Sequence, residues 1–366
     1  MGERVVVAVS GGVDSSVAAA LLVEQGYEVI GVMLRLWSEP RASLALEEWA
    51  GEDSNRCCSL ESVSDARSVA ERLAIPFYVV NAEDLFKRNV VDLFIREYAA
   101  GLTPNPCLVC NRTIRFGYLL SYACSLGARY LATGHYARVR HDSWGRFQLC
   151  RGADHTKDQS YVLSVLGQED LARVLFPIGD YTKVEVRSRA AEWGLPTAPK
   201  AESQDLCFIP DGDYRRFLAR WAPESVQPGP LVDRQGRHLG THRGLPFYTV
   251  GQRSGLGIAA SQPFYVLALD REHNALVVGR ADELEGERMR TGPVNWIAGE
   301  APVEPLDVEV QVRYRAMPAP GTVIPLPDGG AEVRFSRPLR AISPGQAAVF
   351  YDGEVCLGGG TILQFS

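Results

Sequence analysis

Two cysteines and one glycine-rich stretch are the residues best suited to chemistry in this chain. Cys110 and Cys207 lie among Pro, Asn, Gln and Asp residues rather than in apolar runs, so each is predicted to occupy a loop. A thiolate near helix N-termini is stabilised and nucleophilic, which favours sulfur chemistry for such a pair. Three other cysteines are predicted to fill the core: Cys124, Cys150 and Cys356. Two cysteines have no assigned role: Cys57 and Cys58.

The stretch from Ser10 to Ser16, which reads SGGVDSS, is the second candidate site. It follows an apolar run at 5–9 that predicts a buried parallel strand, and it precedes helical spacing of Ala and Leu from Asp14 to Gln25. A strand, a glycine turn and a helix N-terminus together form an anion site, because N–H groups point outward and the helix dipole favours phosphate. Neither a Walker A loop nor a GxGxxG fingerprint is present.

The elements that position these residues alternate between strands and helices over the first 212 residues. This alternation predicts a doubly wound parallel α/β sheet. Two prolines are expected to keep 103–111 from being helical, residues 37–56 are expected to form an irregular surface excursion, and 137–151 a hairpin insertion. Strands are predicted at 5–9, 28–34, 77–80 and 130–133, and helices at 14–25, 62–73, 83–100, 114–126 and 183–193.

After about Asp213 the pattern changes to β structure rich in Gly and Pro, without helical periodicity. A hairpin is predicted at 264–278, turning near His273 and Asn274, and short alternating strands such as 308–315 follow. We therefore predict three domains: a catalytic α/β domain at 1–212, a small β-rich central domain at 213–281 and a C-terminal β-barrel at 282–366.

Composition is that of a folded chain with ample length for several cores. Of the 366 residues, 46% are hydrophobic and 22% are charged. A membrane span needs about 18 consecutive apolar residues, and no run in the sequence approaches that length. No export segment is recognised, so we expect a cytoplasmic protein with reduced thiols and no membrane partner. The net charge of −6 counts mildly against a large nucleic-acid footprint, although a local basic face can serve within an acidic protein.

Several motifs carry a resemblance to known families. The SGGVDSS stretch resembles the pyrophosphate loop (PP-loop) of the N-type ATP pyrophosphatases, adenine nucleotide alpha hydrolase-like enzymes that release pyrophosphate and adenylate their substrates. Taken together, the motifs resemble the tRNA-specific 2-thiouridylases over almost the whole chain. They are SGGVDSS at 10–16, TPNPCLVCN at 103–111, ATGHYAR at 132–138, KDQSYVL at 157–163, SQDLCFIP at 203–210, GLPFYTVGQRSGLGI at 244–258, VRYRA at 312–316 and PGQAAVFY at 344–351.

The resemblance implies an ATP-dependent transferase, a tRNA-uridine 2-sulfurtransferase that replaces O2 of the wobble uridine with sulfur. The uracil oxygen is adenylated and leaves as AMP, with Mg²⁺ on the nucleotide and help from Asp14. Cys207 receives sulfur as a persulfide from a donor protein, a cysteine desulfurase or a sulfur-relay protein. Cys110 then either attacks the persulfide, leaving a Cys110–Cys207 disulfide, or resolves the adduct after direct attack.

The resemblance also assigns binding residues by position. Because a wobble base stacked in an anticodon cannot reach a buried cysteine, it is expected to be flipped out. Arg334, Arg337 and Arg340 have no family support and are expected at the surface. ATP contacts are expected from Ala8, Val9, Ser10, Gly11, Gly12, Val13, Asp14, Ser15, Met33 and Gly134, target-base contacts from Asn105, Pro106 and Cys107, and tRNA contacts from His135, Lys157, Asp158, Gln159, Arg313, Tyr314 and Gln346.

Three alternatives remain beside this interpretation. Cys107, Cys110 and Cys207 are a candidate ligand set for an iron–sulfur cluster with one open iron, whereas no second CxxC supports a zinc site. An amidating ligase on the same loop would not need the paired cysteines. A non-catalytic RNA-binding or redox protein would not release pyrophosphate.

Overall fold

The computed structural model describes residues 2–37, 39, 59–201, 206–209 and 211–366. Most of the excursion predicted at 37–56, together with Cys57 and Cys58, lies outside these residues, and the SQDLCFIP stretch is described only at 206–209. The chain divides into two compact units. The first contains Met1–Val91, Cys107–Asp213 and Glu354–Cys356, and the second contains Asp92–Pro106, Tyr214–Gly353 and Leu357–Ser366.

The first unit is built on a parallel five-stranded sheet with the order β3-β2-β1-β4-β7. The Val-rich β1 is fully buried at its centre, as expected for a parallel strand covered on both faces. The predicted doubly wound fold is therefore confirmed. The strands are β1 Arg4–Ala8, β2 Glu28–Arg35, β3 Phe77–Asn81, β4 Tyr130–Ala132 and β7 Val174–Leu175, with the hairpin β5 Ala137–His141 and β6 Phe147–Arg151.

Helices cover both faces of this sheet through apolar side chains. The helix α1 is buried on two sides, because Ala19 and Leu22 pack toward the sheet while Val17 and Leu21 pack toward Val186 of α9. The helices of this unit are α1 Val13–Glu24, α2 Leu60–Arg72, α3 Glu83–Phe86, α5 Pro106–Cys110, α6 Leu120–Ser125, α7 Ser160–Leu163, α8 Gln168–Leu171 and α9 Lys183–Glu192, with π-helical turns at Lys87–Val91 and Asn111–Leu119.

The second unit contains α4 Asp92–Ala99, α10 Tyr214–Trp221 and two β structures. A four-stranded sheet has the order β10-β11-β8-β9, and six further strands close into a barrel through the β12–β17 pairing. A β-rich centre and a C-terminal β-barrel are therefore confirmed. The strands are β8 Gly229–Val232, β9 His238–His242, β10 Tyr265–Asp270, β11 Ala275–Gly279, β12 Glu285–Trp296, β13 Leu306–Gln311, β14 Ala319–Pro325, β15 Ala331–Arg340, β16 Ala347–Asp352 and β17 Val355–Phe365.

Three predictions about local structure were wrong. The segment 103–111 is helical from Pro106 onward, since proline is favoured at the first position of a helix, where no N–H bond is lost. Helical structure continues beyond Asp213 as α10, whose apolar Phe217 and Leu218 are buried. The strand predicted at 308–315 ends at Gln311, and the chain turns there with Arg315 at a φ of +61°.

Among the described residues, none of the helices combines the length and apolar character that a bilayer span requires.

The barrel core yields a stability prediction. Phe350 is fully buried and stacks on Trp296 with 5.7 Å between ring centroids, so Phe350→Ala leaves a cavity and is expected to cost about 3–5 kcal/mol of unfolding free energy. Leu363→Ala, at a side chain that is 51% exposed, serves as the control and is expected to cost less than about 1 kcal/mol. Urea denaturation measures both, and equal losses would contradict the assigned core.

Candidate functional site

The glycine-rich loop has the geometry of an anion site. Gly11 has a φ of +71° and lies against the backbone of Ser62, where a Cβ atom would come within 2.4 Å of the carbonyl oxygen. Gly12 is the N-cap of α1 and has no side chain to accept from the first-turn N–H groups. The helix therefore presents these donors and its dipole without a side-chain cap, which is what a phosphate requires.

Three serines hold the turn in this shape. The backbone N–H of Ser10 donates to Oγ of Ser15 over 3.1 Å, while the hydroxyls of Ser15 and Ser16 donate to the carbonyl of Gly12 over 3.1 Å and 2.8 Å. Ser15 and Ser16 are buried and Ser10 is exposed. The serine-rich composition of the motif thus fixes the loop backbone, and Ser10 is left at the surface of the site.

The segment after β4 lies against the same helix start. Because β1 lies between β2 and β4, the crossover direction changes there, and the chain ends of β1 and β4 border one crevice. A Cβ atom on Gly134 would come within 2.6 Å of the Ser15 nitrogen and 2.7 Å of the Asp14 carbonyl carbon. Only a bare backbone fits, and this contact brings together two of the predicted ATP-binding segments.

Met33, the remaining predicted ATP contact, lies in β2 and is 2% exposed, packed in the core beside Val7 and Val9. It follows Val32, which pairs in register with Ala8 at the end of β1. The strand ends predicted to border ATP are therefore neighbours in the sheet, while the contact of the Met33 side chain with ATP stays a prediction.

Asp14 forms a charged network that the sequence did not reveal. Its Oδ1 accepts from Nζ of Lys183 over 2.7 Å and from the hydroxyl of Tyr136 over 2.7 Å, and its Oδ2 accepts from the same Nζ over 2.8 Å. Lys183 begins α9, far from the loop in sequence, so only the packing of α9 on α1 brings it there. One sequence signal could have indicated Lys183. A lysine at the first position of a helix is unfavourable, because the helix dipole disfavours a cation there.

Asp154 anchors the same helix start. Its Oδ2 accepts from the backbone N–H of Lys183 over 3.0 Å, and its Oδ1 accepts from Thr156. Partial burial opposes ionisation, but these hydrogen bonds outweigh it and lower the pKa of the Asp154 carboxyl. An ionised Asp154 at this position stabilises the N-terminus of α9.

His135 is a buried neutral ring in this structure. Nη1 of Arg115, which is always a donor, lies 3.0 Å from Nε2, so Nε2 accepts and the ring proton is on Nδ1, which donates to Oγ1 of Thr133 over 2.6 Å. Burial, reinforced by the Arg115 charge, holds the pKa of His135 well below its usual range. At 4% exposure the ring packs between Phe116 and Phe176, and its predicted tRNA contact stays a prediction.

Cys110 lies in a helix rather than in the predicted loop. It ends the short helix α5, is 8% exposed and directly precedes the π-helical turns that begin at Asn111. The Asn111 amide donates to the carbonyl of Val162 over 2.8 Å, which fixes the junction. Cys107, three residues earlier on the same helix, is exposed.

Cys207 lies in a turn that is anchored by its neighbour. The ring of Phe208 is 2% exposed and meets the ring of Phe86 edge-on, with 5.8 Å between centroids. Cys110 and Cys207 are both thiols, not a disulfide, in this structure. The approach of these two sulfurs, which the thiolation chemistry requires, stays a prediction.

The iron–sulfur alternative needs three sulfur ligands around one point. Among the residues that the structure describes, no three His, Cys, Asp or Glu side chains are placed to hold a metal ion. Cys107, Cys110 and Cys207 therefore do not form a ligand set here.

The predicted tRNA residues at 157–159 shape the backbone around them. The Asp158 carboxylate accepts from the N–H groups of Gly152 and Ser160 over 3.0 Å and 3.1 Å, and from the Ser160 hydroxyl over 2.8 Å. The side-chain Oε1 of Gln159 accepts from the backbone N–H of Tyr136 over 3.0 Å, and the backbone N–H of Gln159 donates to the carbonyl of Tyr136 over 2.9 Å. These contacts favour a positioning role for both side chains.

In the second unit, Gln346 supports the segment that leads to the predicted target-base residues. Its amide donates to the carbonyls of Thr103 and Pro104 over 2.9 Å and 3.3 Å, and Thr103 N–H donates to the carbonyl of Pro344. These bonds fix the backbone directly before Asn105 and Pro106.

The arginines singled out in the second unit differ in their surroundings. Arg313 is exposed and Tyr314 half-buried, both in the turn that follows β13. Arg334 and Arg340, on β15, form ion pairs of 2.6 Å with Glu332 and 2.5 Å with Glu285. Arg334, Arg337 and Arg340 are exposed, as expected.

Comparisons with known proteins give a consistent family. Models described as "tRNA methyl transferase HUP domain", "tRNA methyl transferase PRC-barrel domain" and "Aminomethyltransferase beta-barrel domain" match residues 3–211, 215–280 and 287–362. A curated relative from Heliobacterium modesticaldum, named "tRNA-specific 2-thiouridylase MnmA", is 53% identical over 100% of this chain and 93% of its own length. A relative of the same name from Moorella thermoacetica is 54% identical over 97% of this chain and 98% of its own length.

A solved structure with a distant likeness is that of a "U34-tRNA thiolase NcsA" from Methanococcus maripaludis with its 4Fe-4S cluster. It is 18% identical, with a TM-score of 0.34, and the match covers 60% of this chain and 67% of the other.

The close approach of Gly134 to α1 yields a binding prediction. Gly134→Ala forces the first turn of α1 to move, so ATP is expected to bind about tenfold more weakly or worse. Gly292→Ala is the control, since an added Cβ there meets only ordinary contacts at 3.8 Å or more. Titration calorimetry with ATP decides, and unchanged affinity in folded Gly134→Ala protein would contradict the geometry.

The neutral His135 yields a prediction about pH. Because its folded-state pKa is lowered, the unfolded chain binds more protons below about pH 6.5, and stability is lost as the pH falls through that range. This group contributes a slope of up to about 1.4 kcal/mol per pH unit, which His135→Asn removes. Urea denaturation at several pH values between 7.5 and 5 measures it, with the exposed His155→Asn as control. An identical slope in His135→Asn and the wild type would refute the assignment.

Proposed function

The chain belongs to the tRNA-specific 2-thiouridylase family, and we propose that it catalyses ATP-dependent 2-thiolation of the wobble uridine of tRNA. The observation that carries this proposal is full-length identity above 50% to relatives of that name, joined to an anion-binding loop at the end of β1. The chain is then a tRNA-uridine 2-sulfurtransferase. We expect the cytoplasm as its location, because tRNA is its substrate.

The first half-reaction activates an oxygen that is a poor leaving group. Uridine O2 attacks the α-phosphorus of ATP, the bond to the β-phosphate oxygen breaks, and pyrophosphate leaves. The uncapped N-terminus of α1 and the bare backbone of Gly11 and Gly134 support a polyphosphate at this position. Asp14 is the carboxylate expected to hold Mg²⁺, which would neutralise phosphate charge when bound.

The second half-reaction replaces that oxygen with sulfur. A donor protein, a cysteine desulfurase or a sulfur-relay protein, is expected to leave a persulfide on Cys207. In one route the Cys110 thiolate attacks the Cys207 sulfur, a disulfide forms, and the released sulfide attacks C2. In the other route the terminal persulfide sulfur attacks C2, and Cys110 then attacks the Cys207 sulfur so that the transferred sulfur stays on the base. AMP leaves with the former O2 in both routes.

The roles of the RNA-binding residues complete the proposal. We propose that Asn105, Pro106 and Cys107 surround the flipped base, on a backbone that Gln346 supports. Lys157, Arg313 and Tyr314 are proposed to contact the tRNA, where lysine and arginine bind phosphate. His135, Asp158 and Gln159 are proposed to act mainly by holding the segments that approach the RNA.

The thiolation proposal predicts which cysteines are essential. Cys110→Ser and Cys207→Ala are each expected to abolish 2-thiouridine formation, because each removes a sulfur that the transfer requires. Cys124→Ser is the control, since this thiol lies on α6 outside the proposed chemistry. Mass spectrometry of tRNA nucleosides after incubation with ATP and a persulfide donor measures the product.

The rival functions predict different results when ATP cleavage and metal content are measured on the same proteins. No 2-thiouridine from the wild type, together with ATP cleavage that both cysteine variants retain, would indicate an amidating ligase on the same fold. No tRNA-dependent pyrophosphate release would indicate a non-catalytic RNA-binding or redox protein. Activity that follows the iron and acid-labile sulfide content of anaerobically purified protein would indicate the cluster. Metal-free protein with full activity excludes the cluster.

A further inference from the structure

A buried lysine lies beside the phosphate loop without an assigned role. Lys183 is 8% exposed, and its Nζ contacts both carboxylate oxygens of Asp14 at 2.7 Å and 2.8 Å. Tyr136, 3% exposed, donates its hydroxyl to the same carboxylate, and its ring centroid lies 5.8 Å from the same Nζ. Asp14 is the second residue of α1, so the ammonium is held at the helix turn where phosphate is expected.

This position is costly for a lysine whose only purpose is structural. The N-terminus of a helix carries partial positive charge, and Lys183 is the first residue of α9. Burial also removes the ammonium from water, and an ion pair only partly recovers that loss. A lysine retained under both penalties is better explained by a ligand that needs its charge.

The loop itself lacks such a charge. No lysine follows the glycines as it does in a Walker A loop, and Asp14 places a carboxylate close to the anion site. Polyphosphate bound at Gly11 and Gly12 would be repelled by that carboxylate unless a cation stands between them. Among the contacts that the structure describes for Asp14, Lys183 supplies that cation.

We propose that Lys183 is the phosphate-binding lysine of this site, supplied from α9 rather than from the loop. In the nucleotide-free protein it is held on Asp14, and when ATP binds its ammonium moves to, or is shared with, the phosphate oxygens. The exchange leaves the Asp14 carboxylate facing the divalent cation that accompanies ATP. This inference depends on the proposed function only for the identity of the ligand as ATP.

The test measures binding of inorganic pyrophosphate without divalent cations, and of ATP with Mg²⁺, by titration calorimetry on the full chain. Lys183→Met is expected to bind pyrophosphate about 10- to 100-fold more weakly, the range for a lost hydrogen bond to a charged group. Lys183→Arg keeps the charge and is expected to recover most of the affinity. Lys200→Met, which breaks the Lys200–Asp65 ion pair elsewhere in the same unit, is the matched control and is expected to leave binding unchanged.

Asp14→Asn tests the exchange from the other side. Without the carboxylate, Lys183 is released and the repulsion is removed, so pyrophosphate is expected to bind more tightly while the gain in ATP affinity on adding Mg²⁺ shrinks. This variant keeps the proposal testable if Lys183→Met does not fold, which thermal melting establishes first.

Two results would overturn the proposal. In one, folded Lys183→Met binds pyrophosphate within about threefold of the wild type, and the ion pair is then only a tie between α1 and α9. In the other, Asp14→Asn binds pyrophosphate no more tightly than the wild type. Since no tRNA is present, either result leaves thiolation untouched, and failure of thiolation leaves the binding result standing.

Discussion

The geometry of the site depends on glycine backbone that lies directly against the first turn of α1. The backbone of Gly134 contacts that of Asp14 and Ser15, and Gly11 contacts that of Ser62, so the segments after β1 and β4 and the start of α2 meet within a few ångströms. Parallel register makes this possible, since neighbouring parallel strands end at one edge of the sheet. A side chain at either glycine would separate these segments and move the N–H groups that face an anion.

Charged groups around the start of α1 add to the anion site that the backbone forms. The N-termini of α1 and α9 are close enough for Lys183 to reach Asp14, so two partial positive charges and one full one lie near a single carboxylate. Asp154, on the loop after β6, accepts from the α9 N-terminus and offsets part of that field. His135 adds no charge to this group, because its ring is neutral.

The sheet was predictable from sequence because its signals are local. Runs such as Val5–Val7 need only burial on both faces, and the glycines at 11 and 12 interrupt the strand whatever the rest of the chain does. The wrong predictions about 103–111 and about the chain after Asp213 share a cause, because each followed a single local sequence pattern. Pro106 begins a helix although proline usually ends one, and α10 forms among glycines and prolines because its Phe217 and Leu218 are buried. Lys183 was missed because a tertiary contact, with no short motif, places it beside Asp14.

Family resemblance predicts that several polar residues lie near the RNA, and the structure indicates how such residues can act without direct contact with it. Asp158, Gln159 and Gln346 each form side-chain hydrogen bonds to backbone N–H or carbonyl groups, and Asp158 also accepts from the side chains of Ser160 and Arg151. A side chain bonded in this way fixes the conformation of a loop, while the backbone of that loop and the neighbouring residues can contact the ligand. Removing the side chain leaves its hydrogen-bonded backbone groups without partners. Loss of RNA binding in such a variant would therefore report on loop geometry as much as on direct contact, whereas exposed Arg313 has no comparable ambiguity.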